Sequence, residues 1–152
     1  MRPRALSPLL LLLACEPASP PANSAASSPT AASLPAAVTP LDRAPHRRKG
    51  AAADIHLLAR GRNAFLGKLE MAPGGEVPLH RDPTEEYIHI LEGGGTFTID
   101  GQAHAVGPGA TIYMPPNAEV TFKNGDARLV AIQVFAGPEP AAKYDAWTPV
   151  TP

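Results

Sequence analysis

Between positions 80 and 86 the chain carries one imidazole and two carboxylates, His80, Asp82 and Glu86. In extended backbone, residues i and i+2 project to the same side, so His80 and Asp82 share a face. Pro83 and Thr84 supply turn chemistry that brings Glu86 back toward them. Three convergent donors with open positions can hold a divalent cation. One nitrogen with two carboxylates makes a hard, oxygen-rich set that suits Mn, Fe(II) or Mg better than copper. Glu85, beside Glu86, suggests acid/base work, but strand alternation alone sends one of two adjacent carboxylates inward and the other to solvent.

Other chemistries are poorly provided for. Gly93-Gly94-Gly95 is not followed by a helix pattern or a lysine, so it is not a phosphate loop and reads instead as the start of a hairpin. Every serine lies before residue 51, which removes a Ser-His-Asp triad from the rest of the chain. Cys15 is the single cysteine. A net charge of −1 and an aromatic content of 5% leave no basic, aromatic-studded surface for nucleic acid.

The elements that must position these residues read as all-β. Helical periodicity is absent, and short apolar-rich runs recur at 55–59, 64–71, 85–91, 96–99, 102–106, 111–114, 120–123 and 127–135. Asp100-Gly101 and Asn124-Gly125 are two-residue hairpin signals, and Gly- or Pro-rich turns separate the other runs. Many short strands at near-regular spacing indicate a sandwich or a barrel. Alternation places Glu86, Ile88 and Ile90 on one face and Tyr87, His89 and Leu91 on the other. The same count puts His104 on the face of Val106, taken as inward, while His56 and His46 belong to no motif.

Gly74, His80, Glu86 and Gly93 fall on the spacing of the first motif of the cupin superfamily, and Gly109, Pro115 and Asn124 on that of the second. The chain therefore resembles a small single-domain bacterial cupin. That resemblance implies a double-stranded β-helix, or jelly roll, whose hollow holds the site, with Glu86 pointing in and His89 pointing out. It departs from the pattern at three places: Asp82 stands for the second histidine, Asn117 for a glycine and Val120 for the histidine of the second motif. The ligand set His80, Asp82 and Glu86 is thus one imidazole with two carboxylates. Val120 removes the fourth donor and dries one wall, which favours a metal-free apolar pocket over a coordination shell. In a metal-free pocket the carboxylates need other partners, for which Arg81, Lys68, Tyr113 and Thr121 are the candidates.

Residues 1–14 read as an export signal: Arg2 and Arg4, then a leucine run too short to span a bilayer. Leu12-Leu13-Ala14-Cys15 resembles the bacterial lipoprotein box, which makes Cys15 the lipidation site; a plain cleaved signal ending near Ala18 is the alternative. Residues 15–50 follow as a disordered Pro/Ala/Ser-rich linker closed by the basic run His46-Arg47-Arg48-Lys49, read as a solvated junction. Residues 51–152 are the cupin domain. Glu16 after the cysteine points to the outer membrane, facing the periplasm. The tail at 135–147 is too proline-rich for a long helix, and its Tyr144 and Trp147 either pack within the monomer or form a homodimer seam.

The expectation is an envelope-anchored cupin lipoprotein whose barrel binds a small molecule, with or without a divalent metal. The alternative is a metal-dependent enzyme of dioxygenase or isomerase type. A membrane contact through the lipid and no nucleic-acid partner complete that reading.

Overall fold

The computed structural model describes residues 34–151. The export signal, Cys15 and the linker up to residue 33 lie outside the described residues. Eleven strands follow in order: β1 (His46–Lys49), β2 (Ala53–Arg60), β3 (Phe65–Met71), β4 (Glu76–His80), β5 (Glu85–Glu92), β6 (Gly95–Ile99), β7 (Gln102–Val106), β8 (Thr111–Met114), β9 (Val120–Asn124), β10 (Leu129–Ala136) and β11 (Thr148–Val150). Between β10 and β11 runs a 3-10 helix, Glu139–Ala146. Among the described residues no helix is long and apolar enough to cross a membrane.

The strands form two antiparallel sheets, one ordered β11-β1-β2-β3-β10-β5-β8 and the other β4-β9-β6-β7. Their facing sides are apolar by strict alternation. In β5, Glu86, Ile88 and Ile90 are buried while Tyr87, His89 and Leu91 are exposed. In β8, Ile112 and Met114 are buried and Thr111 and Tyr113 are not. A period of two with one apolar side is what a strand needs to cover a core, and it fixes register because a one-residue slip would invert it. Ile88, Ile90, Phe97, Ile112, Met114, Val120 and Phe122 form one buried cluster, and Ile55, Phe65, Leu69, Phe135 and Tyr144 a second.

The domain begins earlier than residue 51. His46–Lys49 is paired in register with β2 on one side and β11 on the other. The basic run is therefore not a solvated junction but part of the sheet: His46 and Arg48 both bond the Asp54 carboxylate, at 2.7 and 2.8 Å. His46 also stacks on His56, with ring centroids 4.3 Å apart.

Asp100-Gly101 closes the β6–β7 hairpin with both residues at positive φ, 47° and 80°, as a tight two-residue turn requires. Asn124-Gly125 closes no hairpin. β9 and β10 belong to different sheets, and Asn124 is instead a buried clamp donating to the carbonyls of Ala72 and Ala127. Gly93-Gly94-Gly95 likewise carries the chain from one sheet to the other. Asn117, at φ 63°, takes the left-handed conformation that a glycine adopts freely and asparagine tolerates better than other residues.

Candidate functional site

His80 ends β4, Glu86 lies near the start of β5, and Asp82 sits in the intervening turn, which is tied down by the Asn117 amide donating to the Asp82 carbonyl at 2.7 Å. One ligand atom from each of His80, Asp82 and Glu86 falls within 4.8 Å of the others. Val120 is the register partner of His80 across the β4–β9 ladder and is buried, so an isopropyl group forms the wall beside the imidazole. His80 Nδ1 lies 3.0 Å from the Pro78 carbonyl oxygen. A carbonyl only accepts, so that contact puts a proton on Nδ1, and Nε2 faces Asp82 Oδ2, 3.8 Å away.

The carboxylates have partners other than those expected from sequence. Gln133, on β10, donates from Nε2 to Glu86 Oε1 at 2.5 Å, and the Tyr144 hydroxyl donates to Gln133 Oε1. Asp82 Oδ2 accepts from Lys143 Nζ at 3.0 Å, and that ammonium lies 4.6 Å from the centroid of Phe135. Arg81 instead reaches the Asn117 carbonyl and Glu119, Lys68 reaches Glu70, and Tyr113 reaches Glu85. Glu85 faces outward between the Tyr87 and Tyr113 hydroxyls, as alternation implies.

Gln133 and Lys143 were not singled out in the sequence, and Tyr144 was expected only to pack within the monomer or form a dimer seam; it is buried in the core. Gln133 carried a usable signal, as the one polar residue in the apolar run from Leu129 to Phe135. Lys143 carried none, and nothing in the sequence joined Tyr144 to the site, because a short 3-10 segment brings them in from 61 and 11 residues away from their partners. His104 does not face the cavity. It is exposed on the edge strand β7, where it lines an outer groove with Thr111 and Tyr113. His89 is exposed and bonds Thr111 Oγ1 at 2.8 Å.

These residues line a cavity of about 700 Å³ between the sheets. Its polar end holds His80, Asp82, Glu86, Gln133, Lys143 and Tyr144, and its walls include Leu69, Ile88, Met114 and Val120. Glu86 is 5% exposed. Burial pushes its carboxyl above the usual value of 4.5 and the nearby Asp82 charge adds to this, while Gln133, Lys143 and His80 oppose it. Burial likewise raises the Tyr144 hydroxyl, helped by the charge of Glu86. The folded state therefore holds the Glu86 proton more firmly than the unfolded chain. The stability linked to that proton is fully present below about 4.5 and is lost as pH climbs through the raised folded value. Replacing Glu86 with Gln removes the titration while keeping an acceptor for Gln133. The urea midpoint of the wild type is expected to fall relative to Glu86→Gln between about pH 4 and about pH 8. A difference that stays flat with pH would contradict the assignment.

A two-sheeted antiparallel barrel with a partly polar cavity between its sheets defines a small jelly roll of the cupin kind. Residues 67–135 match the family model described as Cupin domain, so this part of the chain is a cupin domain. A stretch of 61 residues is 39% identical to the dimethylsulfoniopropionate lyase DddW of Ruegeria pomeroyi, covering 40% of this chain and 40% of that protein. The chain thus matches well under half the length of that relative. Among solved structures, KdgF from Halomonas sp. aligns with a TM-score of 0.62 at 11% identity, over 68% of this chain and 94% of that one. A predicted oxalate decarboxylase from Thermotoga maritima gives 0.60 at 18% identity, over 66% and 99%. At those identities the structural likeness shows the fold alone.

The metal that such a fold often carries fits these residues at three points only. His80, Asp82 and Glu86 converge, but the neighbouring wall is Val120, and the Asp82 charge is already met by the Lys143 ammonium. A resident ion would have to displace or outcompete a tethered cation, and it would gain no fourth side-chain donor from β9.

Proposed function

We propose that this chain is a cupin of the bacterial cell envelope that binds a small molecule in its barrel, held to the membrane through a lipid on Cys15. The observation that carries the binding reading is the cavity itself: apolar walls with a few convergent polar groups at one end are the usual form of a small-molecule site. The Glu86–Gln133–Tyr144 chain fixes that polar end, because each buried polar group in it has a partner. Support for the anchor is the sequence alone: the leucine run and the Ala14-Cys15 junction.

The alternative reading is an enzyme. It is favoured by the identity with a lyase and by the three donors within 4.8 Å. In that case His80, Asp82 and Glu86 would hold Mn, Fe(II) or Mg, which supplies Lewis acidity toward a substrate oxygen. The chain's own contribution would be to exclude water with Val120 and Met114.

Elemental analysis of untagged protein after gel filtration separates the two. The binding reading expects far less than one metal per chain, even after reconstitution. Close to one equivalent, lost on His80→Ala or Glu86→Ala, would instead establish the enzyme reading. For the anchor, Cys15→Ser is expected to move the protein from the membrane pellet to the soluble fraction on cell fractionation, and a wild type already soluble would refute it.

A further inference from the structure

The cavity lining carries more usable positive charge than negative. Arg48, Lys49 and Lys143 line it together with Glu76, Asp82 and Glu86. Most of these are already spoken for. Arg48 is bonded to Asp54 at 2.8 Å, and Glu76 faces Lys123 at 3.5 Å. Asp82 spends one carboxylate oxygen on Lys143, and Glu86 is buried beneath the Gln133 amide. Lys49 has no carboxylate partner among the described residues, and its ammonium lies 6.0 Å from the Trp147 ring. Lys143 offers three N–H donors, and Asp82 is its hydrogen-bond partner among the described residues.

The two lysines flank one aromatic wall. Tyr144 and Trp147 meet edge to face, with centroids 5.0 Å apart; Lys49 stands over Trp147, and Lys143 lies 5.8 Å from the Tyr144 ring. Leu69, Ile88, Met114 and Val120 present hydrocarbon to the same cavity. A ligand that fills such a space must bury an apolar body and leave a negative end among the ammonium groups, since charge-assisted hydrogen bonds to a carboxylate are the strong ones.

Taking the cavity to be a ligand site, as proposed above, we infer that its ligand is a small carboxylic acid with an apolar body, bound with the carboxylate on Lys143 and with Lys49 as a second cation beside the same aromatic wall. Lys49, the end of the basic run of β1, then has a part in recognition.

Trp147 is the chain's single tryptophan and lines the cavity, so its emission reports on occupancy. Full-length protein would be titrated, with a chelator present, with octanoate, 1-octanol and octylammonium. Octanoate is expected to bind at least about tenfold more tightly than octanol, with octylammonium weaker still. The double variant Lys49→Met/Lys143→Met is expected to lose about tenfold in octanoate affinity with octanol unchanged, whereas Lys143→Arg retains octanoate binding. Arg47→Gln, the same loss of charge at a residue that does not line the cavity, should leave the preference intact. Equal binding of acid and alcohol, or a preference for the amine, would overturn the anion assignment alone. Binding of none of the three, by protein whose folding is verified by circular dichroism, would overturn it together with the reading of the cavity as a ligand site.

Discussion

Phe135→Ala is expected to cost the domain about 3–5 kcal/mol, the range found for emptying a fully buried aromatic site. The side chain is completely buried, between register partners Phe65 on β3 and Glu86 on β5. Its ring sits 5.9 Å from that of Phe65, and the Lys143 ammonium rests 4.6 Å above it. Alanine would therefore leave a void in the second apolar cluster and also remove the surface against which Lys143 is seated. With domain stabilities of about 5–15 kcal/mol, a loss of that size brings the fold near its limit. The check is the urea midpoint, with Phe135→Leu as the milder comparison. A midpoint within the scatter of the wild type would mean that Phe135 does not fill the second apolar cluster.

Gly93→Ala is expected to be similarly damaging, at about 3 kcal/mol, through a different cause. Gly93 has φ +72°, and an added Cβ would stand 2.3 Å from the Arg128 carbonyl oxygen. That oxygen is backbone and cannot swing aside. Gly101 is the control: its φ is +80°, yet nothing lies within 4 Å of a Cβ built there. Gly101→Ala should cost only the conformational preference, about 1 kcal/mol. Thermal unfolding of the two variants side by side tests the comparison, and equal losses would show that crowding against Arg128 has no weight.

The contrast between these two glycines marks what can be read from sequence. The positive φ of Gly101 follows from Asp-Gly between two alternating runs. The crowding at Gly93 depends on β10 passing close by, thirty-odd residues later, and only a motif resemblance pointed to it. β5 and β8 were legible because their outer faces are solvated and their inner faces are not, so alternation survives. β1 was not, because His46-Arg47-Arg48-Lys49 has no apolar face and is held by cross-strand ion pairs with Asp54. β4 escaped because Pro78 interrupts a five-residue strand at the sheet edge, a position where proline is tolerated.

The candidate site divides the same way. His80, Asp82 and Glu86 lie within seven residues of one another, and turn chemistry was enough to bring them together on paper. Their actual partners arrive from β10 and the 3-10 segment, and no local pattern encodes a contact between Asp82 and Lys143. Parity counting succeeded for His89 but misplaced His104, because β7 is an edge strand on which every residue from Gln102 to Ala105 is exposed, so alternation no longer separates a buried face from a solvated one.

The position of β1 has a mechanical consequence. Because this strand is laddered to β2 on one flank and to β11 on the other, a pull on the chain ahead of His46 loads both ladders along their length. Shear distributes such a force over several hydrogen bonds at once, whereas peeling would break them singly. A leash at this end would be resisted before any strain reached the barrel's interior.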